Sequence, residues 1–460
     1  MTDSPPLTSS QVPSPPVEVV TPVSWRLALA GSTVALGLLG YLIAPWLGPR
    51  AQAACGVLAF LCVIAACSTN LAAVNWRTVG AGFALQVALA LFILRLDIGG
   101  FRPGYALFSG IAAMVARFLD FSSAGARFVF GVLADQQAMA QVFGGPNGFV
   151  FAFVALPTVI FISAVFTALY HLGVLQWVVK LMARAMMRLL GTSGAETLAA
   201  AANVFMGQTE APIIVKPYIA AMTRSELLAM MVGGMATISG GVMAVYIALG
   251  ADPIAILTTS VMAAPCGLYL SKILLPETEQ PVTRGDVRLD VETTHANIVD
   301  AVATGASEGT QLAINIAAML IAFLALIAFF DGMLSMVSPE LTLARVFSWV
   351  FSPVAMLMGV RAADVPAIAD LLGTKLVANE FVAYVKLTTE YRDVLDPRSY
   401  TLATFALTGF ANFGSIGIIL GGLGGIAPSR RGDLARLGGR ALLGGFVATL
   451  INASLASMLI

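Results

Sequence analysis

Long apolar stretches dominate the chain from residue 27 onward, separated by short polar segments. A helix needs roughly 17–25 consecutive apolar residues to cross the hydrocarbon core of a bilayer. Runs of that kind lie near 27–47, 51–68, 78–94, 149–170, 225–248, 254–275, 308–330, 399–424 and 434–458. The pattern predicts an all-α integral membrane protein of about nine transmembrane helices. Two regions break the regularity. Residues 192–220 and 345–385 hold short apolar pieces interrupted by polar residues, Gly and Pro, and neither suits one clean span. A pair of interrupted segments in the two halves of a transporter points to its binding site. Both are read as re-entrant hairpins that enter and leave on the same face, in an inverted-repeat arrangement.

The flanks follow the same logic. Residues 1–24 are rich in Pro, Ser and Thr and lack Lys and Arg, which predicts a disordered tail and not a signal peptide. Residues 105–119 have helical apolar spacing and carry Arg117, which suits a helix lying at the membrane interface. Arg430, Arg431, Arg436 and Arg440 form one basic cluster, and Lys180, Arg184, Arg188, Lys216 and Arg224 form a second. If the hairpins do not cross, four spans separate the clusters and both fall on the cytoplasmic side, with Arg77 and the N-terminal tail. The C-terminus is then outside. Arg95, Arg102, Arg117 and Arg127 fall on the outer side, against the rule. Trp25, Trp46, Trp76, Trp177 and Trp349 sit near segment ends or in hairpin pieces, as interfacial tryptophans do.

Composition sharpens the class. Hydrophobic residues make up 58% and charged residues 11% of the 460 residues, against about 25% charged in soluble domains. A surface so poor in charge must face lipid. The net charge of +0 gives no reason to expect a nucleic-acid partner. Cys55, Cys62, Cys67 and Cys266 form no CxxC, and His171 and His295 are the two histidines, so no zinc-ligand spacing exists. There is no GxxxxGK[ST] phosphate loop, and the glycine-rich stretch Gly421–Gly425 lacks its lysine. Energy is therefore expected from an ion gradient, with no resident cofactor.

Ionisable residues at membrane depth are costly and mark functional sites. Glu210 lies in Asn203-Val-Phe-Met-Gly-Gln208-Thr209-Glu210-Ala-Pro212, and Glu380 in Lys375-Leu-Val-Ala-Asn379-Glu380-Phe381-Val-Ala-Tyr384, one in each interrupted region. Either glutamate could instead pair with a nearby Lys or Arg for structure. Thr237-Ile238-Ser239-Gly240-Gly241-Val242 and Asn412-Phe-Gly414-Ser415-Ile-Gly417 interrupt two long spans. Such clusters either let helices pack closely or unwind a span and free its carbonyls for a ligand. The combined set offers amides, hydroxyls and two carboxylates without a basic clamp. That suits a neutral polyhydroxylated ligand with an amide-like edge better than a phosphorylated one. Phe381 and Phe410 could pack against rings. Asn203, Thr237 and nearby carbonyls could supply oxygen to a monovalent cation.

The motifs together resemble the concentrative nucleoside transporter family. The matching stretches include Asn75–Val79, Arg127–Gly131, Leu156–Thr158, Gly173–Trp177, Asn203–Pro217, Ser260–Pro265, Asn297–Ala301, Asn379–Tyr384, Gly409–Ile418 and Ala427–Gly432. The resemblance implies a homotrimer in the cytoplasmic (inner) membrane with an elevator-like moving domain. It divides the chain into a tail (1–24), scaffold helices with an interfacial helix (25–190), a first hairpin with transport helices (191–290), a scaffold helix (291–340) and a second hairpin with transport helices (341–460). It implies that Gln208, Thr209 and Glu210 contact the nucleoside and that Val242 lines the base. Glu380, Asn412 and Ser415 would hold the ribose, with Phe410 beside them. A sodium ion would be held by Asn203, the Thr237 hydroxyl and backbone oxygens near Met206 and Ile238. Two positions depart from the pattern: Thr237 stands where relatives often have Ser, and Gly414 replaces a Ser beside the ribose site. The first span, 27–47, is extra relative to the shortest bacterial members. Two alternatives remain open at this point: proton coupling through Glu210 or Glu380, and an intramembrane enzyme using the two glutamates as an acid–base pair, which lacks a nucleophile–base pair or metal cluster to support it.

Overall fold

The computed structural model describes residues 20–135, 138–139, 141, 150–283 and 295–460, and among them it is almost wholly helical. The order is α1 (Val23–Ala66), α2 (Trp76–Leu94), α3 (Pro103–Phe130), α4 (Leu156–His171), α5 (Val174–Leu190), α6 (Gly194–Ala202), α7 (Arg224–Ala236), α8 (Gly240–Leu249), α9 (Pro253–Leu274), α10 (Ile298–Ser335), α11 (Leu343–Leu357), α12 (Val365–Val377), α13 (Glu380–Thr389), α14 (Pro397–Leu407), α15 (Phe413–Ile426) and α16 (Arg431–Leu459). Among the described residues, eight helical segments are long and apolar enough to cross a membrane. The chain is a multi-pass membrane protein.

Several expected spans appear within a few residues of their predicted limits. The runs 27–47 and 51–68 join in α1, where Gly48 takes φ 77° between Pro45 and Pro49 and breaks the helical path. Proline removes a backbone donor and glycine accepts the positive φ, so the sequence places the break where it falls. The start of the expected tail, residues 1–19, lies outside the described residues. Its last part belongs to the fold: the Thr21 N–H donates to Thr69 O (2.8 Å), and Val23 opens α1. Helix α3 is longer than the interfacial stretch expected at 105–119 and is itself long and apolar enough to cross. The interrupted region 345–385 is also divided differently. Its first part is a separate helix, α11, which ends before Gly359 (φ 72°). The second hairpin proper is α12 and α13.

Burial separates inner from outer helices. The most apolar window is 94% buried in residues 224–249, 83% in 253–274 and 78% in 428–459. The corresponding shares are 6% for α1 and 11% for α10. Helices α7, α9 and α16 therefore form the core, while α1 and α10 present apolar side chains outward. Small residues permit the close core approach: a Cβ on Gly445 would fall 2.5 Å from the Met235 Cβ, and one on Gly444 would fall 2.9 Å from Val232. A buried network crosses this core. The Gln86 Nε2 donates to Asn452 Oδ1 (2.6 Å), the Tyr269 hydroxyl donates to Gln86 Oε1 (2.8 Å), and Asn452 Nδ2 donates to Thr259 Oγ1 (3.1 Å).

The two broken spans frame the site. The run 225–248 is split into α7 and α8 at residues 237–239, and the run 399–424 into α14 and α15 at residues 408–412. The first hairpin descends along α6, turns through residues 203–210 and returns through two short helical turns, Ala211–Ile214 and Lys216–Ile219. Pro212 and Pro217 each sit in the first turn of those pieces, where a missing N–H does no harm. Buried ion pairs anchor both hairpins: Lys272 Nζ lies 2.6 Å from Glu196 Oε2 at α6, and Lys386 pairs with Asp370 between α13 and α12.

Candidate functional site

The second hairpin turns at Ala378–Asn379. The Asn379 side chain accepts the Val382 N–H (2.8 Å) and so caps α13, which sets Glu380 as the first residue of that helix. Glu380 is buried. Its Oε1 accepts the Tyr246 hydroxyl from α8 (3.2 Å), and its Oε2 accepts Nδ2 of Asn412 (2.9 Å). Asn412 caps α15 with its other atom: Oδ1 accepts the Ser415 N–H (2.9 Å). The Ser415 hydroxyl in turn accepts Nε2 of Gln208 from the first hairpin (3.4 Å). The chain Tyr246–Glu380–Asn412–Ser415–Gln208 thus links both hairpins and both broken spans. A carboxylate has about four acceptor positions, so Glu380 keeps capacity for further donors.

Next to this chain the first hairpin tip meets the α7 break. Asn203 is 1% exposed, and neither its Oδ1 nor its Nδ2 has a protein partner; Gln208 Oε1 is likewise buried and unpartnered. Buried polar atoms nearly always find partners, and orphans cost about 1–3 kcal/mol each. Glycines allow the approach. A Cβ on Gly233 would sit 3.0 Å from Asn203 Nδ2, and one on Gly234 would sit 2.9 Å from the Gln208 Cβ. Thr237 ends α7, and its hydroxyl donates to Gly233 O (2.9 Å). The Phe410 N–H donates to Thr237 O (3.1 Å), tying the two breaks together. The Met206 and Ile238 carbonyls receive no backbone N–H among the described residues. The hairpin tip and the α7 break thus carry an unpartnered amide, a hydroxyl and carbonyls without backbone donors, atom types that a hard cation takes.

The remaining candidates divide. Val242 lines the buried side of α8, one turn before Tyr246. Thr209 faces α15, where a Cβ on Gly422 would lie 3.0 Å from its Cγ2. Glu210 is exposed and accepts the Gly207 N–H (3.2 Å), so it closes its own turn and makes no contact with the Glu380 group. Phe381 is occupied within the protein: its ring centroid is 5.5 Å from Tyr246 and 5.7 Å from Phe151. Phe410 is half-buried and has no such ring partner among the described residues. Tyr246 is the residue that sequence reasoning missed. It follows Val242 by four positions and so shares its helix face, which was the available signal. Its ring stacks on Tyr384 at 4.0 Å.

Two hairpins whose tips meet two broken helices across a buried polar site define a membrane transporter. Comparison with known proteins narrows the class. The Na+ dependent nucleoside transporter N-terminus and C-terminus profiles match residues 55–133 and 255–457, and the nucleoside recognition (Gate) profile matches residues 152–253. A transporter of Haemophilus influenzae without assigned function is 43% identical over 415 residues, covering 88% of this chain and 96% of the relative. Human sodium/nucleoside cotransporter 1 is 40% identical over 424 residues; 88% of this chain aligns with 63% of that longer protein. Among solved structures, CNTnw in an inward-facing substrate-bound state superposes with a TM-score of 0.81 at 38% identity, covering 93% of this chain and 98% of the other. A doubly substituted CNTnw in an outward-facing state gives 0.84 at 37% identity, over 89% of this chain and 98% of the other. The protein belongs to the Na+-dependent, or concentrative, nucleoside transporter family.

Proposed function

We propose that the protein is a sodium-coupled symporter that imports nucleosides such as uridine by elevator-type alternating access. The observation that carries this reading is the orphaned Asn203 amide, buried at the hairpin tip against Gly233 and Gly234, where Gln208 of the Glu380–Asn412–Ser415 chain also packs. A cation bound at Asn203, Thr237 and the Met206 and Ile238 carbonyls would give those atoms their missing partner and order the tip. Gln208 Oε1 is then free for a donor on the base edge, with Thr209 beside it. The spare acceptor positions of Glu380, with Asn412 and Ser415, suit ribose hydroxyls. Val242 and Phe410 supply apolar walls. Glu210 would join the site only by leaving the Gly207 amide, so its contribution is the smallest of the named polar groups.

Coupling follows from this order. Without the cation the tip is strained by unpartnered amides, and the nucleoside site is incomplete. With both bound, the hairpins and broken helices move as one body against α4 and α10 in each subunit of a homotrimer. One charge moving through 100 mV supplies about 2.3 kcal/mol. A tenfold sodium gradient adds about 1.4 kcal/mol. Together they sustain accumulation of roughly several hundredfold. Titration calorimetry of uridine into the purified protein tests the coupling in the binding step. Tight binding in sodium and weak binding in choline are expected; equal binding in both would overturn the role given to Asn203.

A further inference from the structure

Helices α8 and α13 face each other at the site. Val242 and Tyr246 lie one turn apart on α8, and Glu380 and Tyr384 lie one turn apart on α13. The two tyrosine rings stack, with centroids 4.0 Å apart and planes 19° from parallel. The Phe381 ring stands against a second side of Tyr246, at 5.5 Å and 63°. Both tyrosines are 0% exposed. A ring packed on two sides in a buried core keeps one orientation, so the direction of the Tyr246 hydroxyl is set by its neighbours. Tyr384 is braced in turn. Its hydroxyl lies 3.0 Å from Thr404 O and 2.7 Å from Thr408 Oγ1, at the end of α14 where the second span breaks.

The Tyr246 hydroxyl meets the Glu380 carboxylate. It donates to Oε1 (3.2 Å), while Asn412 Nδ2 donates to Oε2 (2.9 Å). Each carboxylate oxygen therefore has one fixed donor, one from the first broken span and one from the second. The last torsion of a glutamate is broad, so a single donor leaves the carboxylate free to turn, and two donors on opposite oxygens fix its plane. Its remaining acceptor positions then keep one direction. Phenylalanine would fill the same space between Tyr384 and Phe381. What the Tyr246 hydroxyl adds is the orientation of Glu380.

We propose that Tyr246, braced by Tyr384, is a positioning residue that fixes the Glu380 carboxylate and thereby sets how strictly the transporter demands a sugar hydroxyl. An acceptor held in place rejects an analogue that lacks the matching hydroxyl, because the buried group is left unpaired. A carboxylate free to turn finds another partner and rejects that analogue less. The proposal rests on the reading that Glu380 holds the ribose of a nucleoside.

The test is uptake of uridine, 2′-deoxyuridine and 3′-deoxyuridine into proteoliposomes under an inward sodium gradient, for the wild type, Tyr246→Phe and Tyr384→Phe. The quantity read is kcat/KM for uridine divided by kcat/KM for each deoxy analogue. In the wild type the larger of the two ratios should be roughly tenfold to hundredfold, as for a hydrogen bond to a charged group. In Tyr246→Phe that ratio should fall by roughly threefold or more, with a raised KM for uridine, since variant and missing hydroxyl act on one coupled group. A tyrosine that only filled space would shift uridine and the analogues alike, so an unchanged ratio in an active Tyr246→Phe would overturn the proposal. If that variant does not fold or transport, Tyr384→Phe decides. It keeps both rings and removes only the brace, and Thr404 O keeps the Thr408 hydroxyl as donor (2.7 Å). A reduced ratio there supports the proposal, and an unchanged ratio overturns it. A wild type that carries all three nucleosides equally well would instead remove the ribose role of Glu380, and one that carries none of them would remove the nucleoside reading; this proposal falls with either.

Discussion

Replacing Asn203 by leucine separates the cost of the site from its use. The two side chains have the same branching, so Leu puts methyl groups where Oδ1 and Nδ2 now lie. Both amide atoms are buried without partners, and each such orphan costs about 1–3 kcal/mol. Removing them should stabilise the sodium-free protein. The gain is reduced by crowding, because two methyl groups are bulkier than the amide atoms they replace and overpacking costs about 1–3 kcal/mol. The variant should therefore be at least as stable as the wild type without sodium. Sodium reverses the order. A ligand at a hundred times its Kd stabilises by about 2.7 kcal/mol, a gain the wild type should show and the variant should lack. Melting curves of the purified protein in choline and in sodium, with uridine uptake measured in parallel, check both halves. A variant that is destabilised in choline and still stabilised by sodium would refute the reasoning, since Asn203 would then be neither orphaned nor a ligand.

Other substitutions probe separate parts of the account. Glu380→Gln keeps the shape but weakens hydrogen bonds to a charged group worth about 1.5–3 kcal/mol, so the KM for uridine should rise roughly tenfold to hundredfold, measured by uptake, with melting little changed. Gln86→Leu strands the Tyr269 hydroxyl and the Asn452 carbonyl oxygen in the core, about 1–3 kcal/mol each, so the melting temperature should fall while the KM of the folded fraction stays constant. Gly240→Ala places a methyl 2.3 Å from the Phe166 ring, between the start of α8 and α4, and should cost about 1–3 kcal/mol by melting and slow transport at saturating uridine. Glu210→Gln should change uridine KM far less than Glu380→Gln in the same assay, because its carboxylate is engaged by the Gly207 amide of its own turn.

Sequence patterns located most of the architecture because lipid leaves backbone polar groups few choices. The runs 78–94, 254–275 and 434–458 coincide with α2, α9 and α16 within a few residues; the polar cluster at 237–241 marks the first helix break, whereas the second break precedes its cluster, which meets it at Asn412 and continues into α15. Boundaries failed where apolar content and backbone conformation disagree. Region 345–385 reads as one broken apolar stretch, yet Gly359 with φ 72° divides α11 from the hairpin, a turn that hydropathy does not register. At the site, Gln208, Glu380, Asn412 and Ser415 were legible as polar residues in apolar runs, and one hydrogen-bonded chain joins them. Tyr246 was hidden because a tyrosine in a span is unremarkable until its hydroxyl meets a carboxylate from another helix. Phe381 and Glu210 take internal partners in this structure, two aromatic rings for one and a neighbouring amide for the other, which their sequence context does not reveal.

Uptake of radiolabelled uridine into proteoliposomes, with and without an inward sodium gradient, tests the central claim most directly. The account predicts accumulation above equilibrium only with the sodium gradient, increased by an inside-negative potential and absent when a proton gradient is imposed alone. Accumulation driven by protons and indifferent to sodium would contradict it.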